Sequence, residues 1–563
     1  MFMTEARENM RHNARSLFIV AFSAGLICLL VYLKSLRCGF VDMDDPFYIA
    51  GNPLIKSLDG KNLMQIFTES HLAAWIPLTY VTIALDYHFW GLNPTGYHLT
   101  NALLHAINTM LVVLLAARIF HYLPVKDRII RSGKYLYPAM LLFTGLLFGL
   151  HPLRVESVAW VSERKDVLNG LFSLSSVLFY LRYVQKKTVA GEKRAAIEYC
   201  ISVGFFLLSL LAKQVSVVLP MMLLVADWYP LGRMRRGNRG RVLIEKLPYL
   251  FLALTVSFLT VFLAAKGNVM VSAEDFPFYA RCLVSGNAIF EYCRYLLYPV
   301  GIVPCFVIGD TIQYSFIIKT AVVVAFTCFC VETARKWPFL TAVWVLFLLP
   351  LLPVLAFTQA ADDIAFAARY SYLPSVAPSI AAGILLPVVY LAAARVRPAL
   401  ARIVIPALVV ALLIGYGAKT LLLISTWKNP GTLWTRQIKV QPLGRAYSYR
   451  GKYRYSIGRY NAALRDFDRA IAIARKAGRD DIFNLIAYRG ETLRALGLYE
   501  EAIENFTAAI SMSPYPQYYY LRGCSLKALG RTEDAEKDFL RAGNNTGPID
   551  WFPAKYEGDQ CPM

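Results

Sequence analysis

Long apolar runs alternate with short polar stretches from Leu17 to about Leu423, and the polar stretches are alternately basic and acidic. Runs of roughly 17 to 25 residues are long enough, as α-helices, to cross a bilayer core of about 30 Å. The pattern predicts about eleven spans, an odd number that puts the two ends of the bundle on opposite sides. They are Leu17 to Leu36, His98 to Phe120, Tyr135 to Leu150, Val167 to Tyr183, Ile197 to Leu211, Val215 to Trp228, Leu247 to Ala264, Ser315 to Val331, Phe339 to Ala356, Tyr372 to Ala393 and Ile403 to Thr426. Cys282 to Tyr298 carries Glu291 and Arg294 and reads as a helix lying at the outer surface. The first run follows Arg7, Arg11 and Arg15, lacks a small-residue cleavage site and leads into further spans, so it reads as an uncleaved anchor.

After "STWKNPGTLWTRQIKVQP" the period changes and the chain repeats itself. Gly451, Gly490 and Gly523 recur at intervals of 39 and 33 residues, and Gly458, Gly497 and Gly530 at the same intervals. That matches the roughly 34-residue tetratricopeptide period, with a short insertion in the first repeat. Ala462, Phe467, Ala502, Phe506, Ala535 and Phe539 are read as core positions buried by stacking of neighbouring repeats. The fold class is therefore all-α: a polytopic transmembrane bundle over residues 1–426, a linker over 427–444, three repeats forming an α-solenoid over 445–545, and a tail over 546–563.

Composition agrees with a membrane protein. The 563 residues are 57% hydrophobic and only 17% charged, with mean hydropathy +0.44. The net charge of +21 does not require a nucleic-acid partner. Lys126, Arg128, Arg131 and Lys134, then Lys186, Lys187, Lys193 and Arg194, then Arg233, Arg235, Arg236, Arg239 and Arg241 collect in alternate loops, as do Arg335 with Lys336 and Arg395 with Arg397. Such loops face the cytoplasm. The N-terminus is then cytoplasmic and the repeats lie on the outer side.

The acidic clusters fall in the other loops. Asp42, Asp44 and Asp45 follow the first span, Glu156, Glu163 and Asp166 precede the fourth, and Glu274 with Asp275 and Asp362 with Asp363 come later. Cations stand beside several of them: Arg154, Arg164, Lys165, Lys213 and Arg369. One reading is a polar site at the outer face; the other is solvated loop charge, which needs no function. In the second span His98, Asn101, His105 and Asn108 recur every three or four residues and share one helix face. Such a face makes interhelical hydrogen bonds or touches substrate. His98 and His105 have no carboxylate beside them in that span to complete a metal site, and no metal ligand is assigned.

Several stretches carry a resemblance. "GFVDMDDPFYIAGNPLI", "WIPLTYVTIALDYHFWGLNPTGYHLTNALLHAINT", "LLFGLHPLRVESVAWVSERKDVLNGLF", "LLAKQVSVVLPMMLLVADWYPLGR" and "RYSYLPS" resemble bacterial relatives of the transmembrane and tetratricopeptide-repeat (TMTC) O-mannosyltransferases, membrane glycosyltransferases of the GT-C class. The resemblance runs from about Phe40 to the C-terminus. It implies a polyprenyl-phosphate-linked sugar as donor, an acidic pair in the first outer loop as the catalytic element, and transfer to Ser or Thr hydroxyls. By motif match the pair is Asp44 and Asp45, the second-loop motif falls on His151, Pro152, Glu156, Trp160 and Arg164, and the later cations are Lys213 and Arg369. His98 and Lys165 complete the expected substrate-binding set. Two departures stand out: Trp75 and Ile76 where animal members tend to have Tyr-Arg, and Gln214 where they have Glu.

The chemistry is consistent with this. An outward-facing transferase has no nucleotide-sugar pool and draws on a lipid-activated sugar. A hydroxyl acceptor needs a carboxylate to take its proton, and a departing phosphate needs fixed cations. Either Asp44 or Asp45 serves as base on this reading, with Arg164, Lys213 and Arg369 for the phosphate. No cofactor is required by these residues, a divalent cation is left open, and no zinc pattern, Walker loop or dinucleotide fingerprint is present. Ten cysteines define no pairing. For a bacterial chain the expected location is the inner membrane, with the repeats periplasmic or extracytoplasmic and presenting an acceptor protein. Transfer to a lipid or envelope polysaccharide is the alternative, and a transporter or repeat scaffold a third reading.

Overall fold

The computed structural model describes residues 2–69, 75–235, 237–266, 277–307, 313–355, 364–479 and 482–543. Two compact units divide the chain, Met1–Lys428 and Asn429–Met563. Glu274, Asp275, Asp362, Asp363, Arg236, Cys561 and the tail 546–563 lie outside the described residues.

The first unit is a helical bundle: α1 Phe2–Tyr32, α2 Pro77–Trp90, α3 Pro94–Phe120, α4 Leu136–Gly149, α5 Arg164–Ala190, α6 Glu192–Ala212, α7 Leu219–Trp228, α8 Leu247–Lys266, α9 Phe278–Leu297, α10 Tyr314–Glu332, α11 Pro338–Leu348, α12 Val376–Val396 and α13 Pro398–Ile424. Each expected apolar run coincides with helix, but only eight helices among the described residues are long and apolar enough to cross a membrane, or nine if a bent pair is one span. The other expected runs are broken. Leu136–Gly149 and Pro152–Ala159 meet at 46°, and Gln214–Trp228 and Pro338–Val354 are short. Prolines account for the breaks: Pro152 opens a new 3-10 turn, Pro220 stands in the first turn of α7, and Pro353 lies inside the 3-10 segment that ends α11.

Small polar residues bring α5 and α6 together. Ser176 donates to the Ser202 carbonyl at 2.8 Å, Ser202 donates back to the Ser176 carbonyl at 2.6 Å, and the Tyr249 hydroxyl of α8 donates to Ser202 Oγ at 2.7 Å. This is close packing by small side chains, as lipid-embedded helices require. At Gly170 a Cβ would stand 2.7 Å from the Tyr372 ring, so α5 approaches the start of the last third of the unit only because no side chain is there. A two-stranded antiparallel ribbon, β1 Phe306–Val307 and β2 Ile364–Phe366, pairs Phe306 with Phe366. The Tyr292 hydroxyl of α9 donates to the Ala367 carbonyl at 3.0 Å, which fixes the strand's exit immediately before Arg369.

At the C-terminal half of α5 a buried ionic network joins α5 to α7 and α8. Asp227 lies 2.8 Å from Arg233 and 2.6 Å from Lys246, and accepts from the Tyr180 hydroxyl at 2.7 Å. Glu245 accepts from Arg233 at 2.7 Å, Lys187 at 2.9 Å and Tyr183 at 2.9 Å. Asp227 and Lys246 are fully buried. Tyr180 lies sixteen residues after Arg164, about 24 Å along a helix rising 1.5 Å per residue. The network and the N-terminus of α5 are therefore at opposite ends of one helix.

The second unit begins with α14 Pro430–Val440, which occupies much of the segment expected to be a linker. The reason is local: Asn429 and Thr432 form a reciprocal capping box, and Pro430 fits the first helical turn. Three helix pairs follow: α15 Gly444–Ser456 with α16 Tyr460–Lys476, α17 Phe483–Ala495 with α18 Tyr499–Met512, and α19 Pro516–Ala528 with α20 Thr532–Ala542. Gly458, Gly497 and Gly530, at φ of 74°, 78° and 77°, end the first helix of each pair, where a side chain would be strained. Phe467, Ala502, Phe506 and Ala535 are core as expected. Ala462 is only partly buried, its neighbour Ala463 taking the inward position, and Phe539 is partly buried beneath Gly523.

Asp227→Ala strips Lys246 and Arg233 of a buried counter-charge and is expected to cost about 3–5 kcal/mol. Thermal unfolding in detergent checks this; the Asp227→Leu, Lys246→Met double variant, which removes both charges, is expected to recover most of the loss.

Candidate active site

The segment between α4 and α5 has the charge pattern of an outer loop, yet it is core. From Pro152 to Arg164 every residue is buried. Its backbone turns in three short helical steps, Pro152–Arg154, Val155–Ala159 and Val161–Glu163, which bring Glu156, Glu163, Lys165 and Asp166 to one end of the bundle. Charges placed there are costly unless neutralised by neighbours.

Asp45 attaches the first polar loop to this segment. It is 1% exposed; Oδ2 accepts from the Val41 N–H at 2.8 Å, and Oδ1 accepts from the Ser162 N–H at 3.0 Å and the Ser162 hydroxyl at 2.5 Å. Burial pushes its carboxyl up to about 6, against those hydrogen bonds, which favour the charged form. Asp44 differs. Its side chain is 41% exposed, and Lys165 Nζ stands 3.7 Å away. The two adjacent carboxylates thus have separate positions, one buried with both oxygens engaged, one facing out beside a lysine.

Lys165 continues into a chain of alternating charge. It lies 3.2 Å from Glu163 and over the Tyr48 ring at 4.9 Å. Glu163 lies 3.6 Å from Lys213 and 3.3 Å from Arg369. Lys213 meets Asp166 at 2.5 Å, and Arg369 meets Glu156 at 2.6 Å while lying over the Trp160 and Tyr370 rings. Asn169 donates to the Ser209 and Lys213 carbonyls, both at 2.9 Å, and so fixes the turn that carries Lys213. Glu156 Oε2 is buried with no hydrogen-bond partner among the described residues.

Six of the nine residues expected in the site are brought together: Asp44, Asp45, Glu156, Lys165, Lys213 and Arg369. Arg164 points elsewhere. Its guanidinium donates to Asn101 at 2.8 Å, to the Thr82 carbonyl at 3.1 Å and to the Tyr97 carbonyl at 2.8 Å, and pairs with Asp86 at 2.5 Å. It ties α2 and α3 to the head of α5, with every nitrogen committed. His151 caps the Pro152 turn, accepting from the Leu153 N–H at 3.2 Å and contacting the Leu296 carbonyl at 3.1 Å. His98 is fully buried against the Cys38 and Gly39 backbone, without a hydrogen bond of normal geometry among the described residues. The rest of its helix face is structural: Asn101 reaches the Val158 and Trp160 carbonyls, His105 the Tyr372 hydroxyl and Gly149 carbonyl, and Asn108 the Val167 carbonyl.

Asn169 and Tyr370 join the site, as do Glu163 and Asp166, which the sequence marks only as members of an acidic cluster and not as site residues. The signal available was "SERKD", where four of five residues are charged at the mouth of an apolar run. Arg154, likewise buried, binds the Ser371 carbonyl and hydroxyl at 2.9 and 3.1 Å and holds the Arg369 turn. The two departures noted in the sequence meet: Gln214 Nε2 donates to the Trp75 carbonyl.

Lys213, Arg369, Asp166, Asn169 and Tyr370 line a small polar cavity that also touches Pro350 and Leu373. Leu373 also borders a much larger apolar cavity between α3, α5, α7, α11 and α12, lined by residues such as Leu115, Leu174, Met222, Val343 and Ile380. Among the described residues no three His, Cys, Asp or Glu side chains are grouped so as to hold a metal ion.

The buried Asp45 sets a pH dependence. A folded pKa of about 6 against an ordinary 3.8 means that the folded state holds this proton more tightly. The stabilisation is complete below the unfolded value and is lost as pH rises through 6. Asp45→Asn has no such titration, so between pH 4 and 7 the wild type is expected to lose up to about 3 kcal/mol relative to the variant. Thermal unfolding of both in detergent across this range checks it; parallel profiles would remove the assignment.

Residues 489–516 and 516–542 match the family model of the tetratricopeptide repeat. The chain is 28% identical over 166 residues to the protein O-mannosyl-transferase Tmtc1 of Drosophila melanogaster, covering 28% of this chain and 18% of that protein. It is 29% identical over 158 residues to human TMTC4, 28% of this chain and 21% of that one. A shorter stretch of 107 residues is 37% identical to tmtc2 of Xenopus laevis, 19% of this chain and 11% of that one. The chain therefore spans no more than about a fifth of the length of these relatives. Over those stretches it is a relative of the TMTC protein O-mannosyl-transferases, and its second unit carries tetratricopeptide repeats.

Proposed function

We propose that this protein is a multi-pass membrane glycosyltransferase that moves a hexose, mannose-like, from a polyprenyl-phosphate donor to Ser or Thr hydroxyls of exported proteins at the outer face of the membrane. The observation that carries the reading is that the apolar cavity and the Lys213–Arg369 polar cavity share Leu373 as a wall, with Asp44 joined to the same charge chain through Lys165. An apolar space of this kind suits a polyprenyl chain, and the polar end suits its phosphate. The printed names of the relatives, protein O-mannosyl-transferases, support the sugar and the protein acceptor.

In this mechanism Asp44 is the base. The acceptor oxygen forms a bond to the anomeric carbon as the bond from that carbon to the donor phosphate oxygen breaks, and the hydroxyl proton passes to Asp44. Polyprenyl phosphate leaves with its added charge facing Lys213 and Arg369, which are held in place by Asp166, Glu163 and Glu156. The unpartnered Glu156 Oε2 is a ready acceptor for a sugar hydroxyl. A single displacement inverts the anomeric centre. Asp45 has a positioning role, holding the Asp44 loop to Ser162.

The basic loops at the far end of α5 support a cytoplasmic N-terminus and an outward-facing site, in the inner membrane if the chain is bacterial. The transferase domain is residues 1–426, with the repeats of 445–545 on the outer side presenting the acceptor protein.

Asp44→Asn is expected to lower transfer about 100-fold or more, the range for loss of a general base, with folded protein unchanged, whereas Asp45→Asn lowers the amount of folded protein as well. Mass spectrometry of envelope and secreted proteins from cells carrying each form checks this. Hexose increments on Ser or Thr that vanish with Asp44→Asn support the reading. Identical glycoprotein patterns at equal levels of folded enzyme would end the protein-acceptor reading and direct the search to glycolipids.

A further inference from the structure

The repeats carry a ladder that the glycosyl-transfer reading does not use. An arginine directly precedes the aligned glycine in each repeat: Arg450, Arg489 and Arg522. Arg450 grips Asp466 through Nε at 3.0 Å and Nη2 at 2.8 Å, and Arg522 grips Asp538 through Nε at 2.7 Å and Nη2 at 2.8 Å. In both, the carboxylate comes sixteen residues after the arginine. The same register in the middle repeat holds Asn505, an amide in place of a carboxylate. Arg489 reaches it with Nη1 at 3.2 Å and turns Nε to Asp468 of the preceding repeat, at 2.7 Å. Arg450 and Arg522 also donate Nη1 to Thr435 and Thr507, fifteen residues earlier, where the middle repeat has Ala474. Nη2 of Arg489 donates to no atom among the described residues, and its side chain is 32% exposed.

Arg489 sits in a groove bordered by Asp468 and Arg475 of α16, Ile486 of α17, and Glu504 and Asn505 of α18. A second hollow, lined by Arg450, Arg454, Arg465 and Arg469 together with Asp466, which pairs with Arg450 and Arg454, adjoins it across Asp468 and Ala472. Arg465, Arg469 and Arg475 are exposed and make no ion pair among the described residues. The furrow therefore holds six guanidinium groups against the three carboxylates of Asp466, Asp468 and Glu504, and in its middle repeat Asn505 stands in the register of the ladder's carboxylate.

We infer that this furrow is a docking site for an extended acidic segment of a partner protein, one of whose carboxylates takes at Arg489 the place that Asp466 and Asp538 take in the flanking repeats. Arginine forks select carboxylates by paired, parallel hydrogen bonds, and charge-assisted bonds of this kind are the strong ones. The groove is bounded by helices on both sides, a shape that receives a chain. The inference rests on the repeats alone and not on the transfer reaction.

The test uses the full chain in phosphatidylcholine nanodiscs and a fluorescein-labelled peptide of alternating Glu and Ser, read by fluorescence anisotropy against a Gln-for-Glu peptide of equal length. The acidic peptide is expected to bind, more weakly as salt rises, and the Gln peptide not. Arg489→Gln is expected to weaken binding about tenfold or more, from loss of a charged hydrogen-bond pair. Asn505→Asp, which restores the internal carboxylate, is expected to weaken binding by about the same factor without lowering the unfolding temperature, so that misfolding does not mimic the result. Equal binding of the two peptides, or an Asn505→Asp variant that binds as wild type does, would overturn the proposal. So would capture of the nanodiscs by phosphatidylglycerol vesicles that depends on Arg489 when the acidic peptide does not bind. No transfer is measured, so failure here leaves the proposed reaction untouched.

Discussion

An ion withdrawn from water must meet its opposite within the protein, and the segment between α4 and α5 is built around that demand. Glu163 is 1% exposed and stands within 4 Å of Lys165, Lys213 and Arg369, which come from three separate stretches of chain. Each cation also has a carboxylate of its own, Asp44, Asp166 or Glu156, but Glu163 joins all three, and it would not be stable there without them. The approach of the Arg369 turn, the Lys213 turn and the head of α5 follows from this mutual neutralisation. So does the geometry of the polar cavity that they line.

The same demand is met differently at the two ends of α5. At its C-terminal half Asp227, Arg233, Glu245 and Lys246 close on one another with tyrosine hydroxyls filling the remaining valences, and the result is a clasp. At its head the compensation is incomplete: Glu156 keeps one oxygen without a donor, Asp44 reaches outward, and a cavity remains. A fully satisfied network rigidifies, whereas a partly satisfied one has capacity for a ligand. The proposed chemistry therefore falls to the second network and scaffolding to the first.

Much of the architecture was legible from periodicity. Apolar runs gave the positions of the bundle helices, and paired glycines at 39 and 33 residues gave the repeats. What was not legible was depth. "HPLRVESVAWVSERKD" has the charge of a solvated loop, and only the tertiary fold shows that it is buried and that its ions are paired among themselves. Arg164 illustrates the cost: adjacent to Lys165 in sequence, it faces the opposite way and serves Asp86 and two carbonyls. Asp44 and Asp45 are likewise neighbours whose difference is one of burial, which sequence does not encode locally. His98 and His151 stand in suggestive motifs, yet one is packed against the Cys38 and Gly39 backbone and the other caps a turn.

The attachment of Asp45 to Ser162 also bears on how the chain is made. The two residues are 117 apart, so the first loop leaves the ribosome well before the residue that fastens it. At about 5–20 residues per second the interval is roughly 6 to 23 s. Through that time α2, α3 and α4 are synthesised while the Asp44–Asp45 loop has nothing to close upon. The emergence of Ser162 and the start of α5 is then the event that assembles the charged cluster, and a growing chain released before it has helices but not the proposed site.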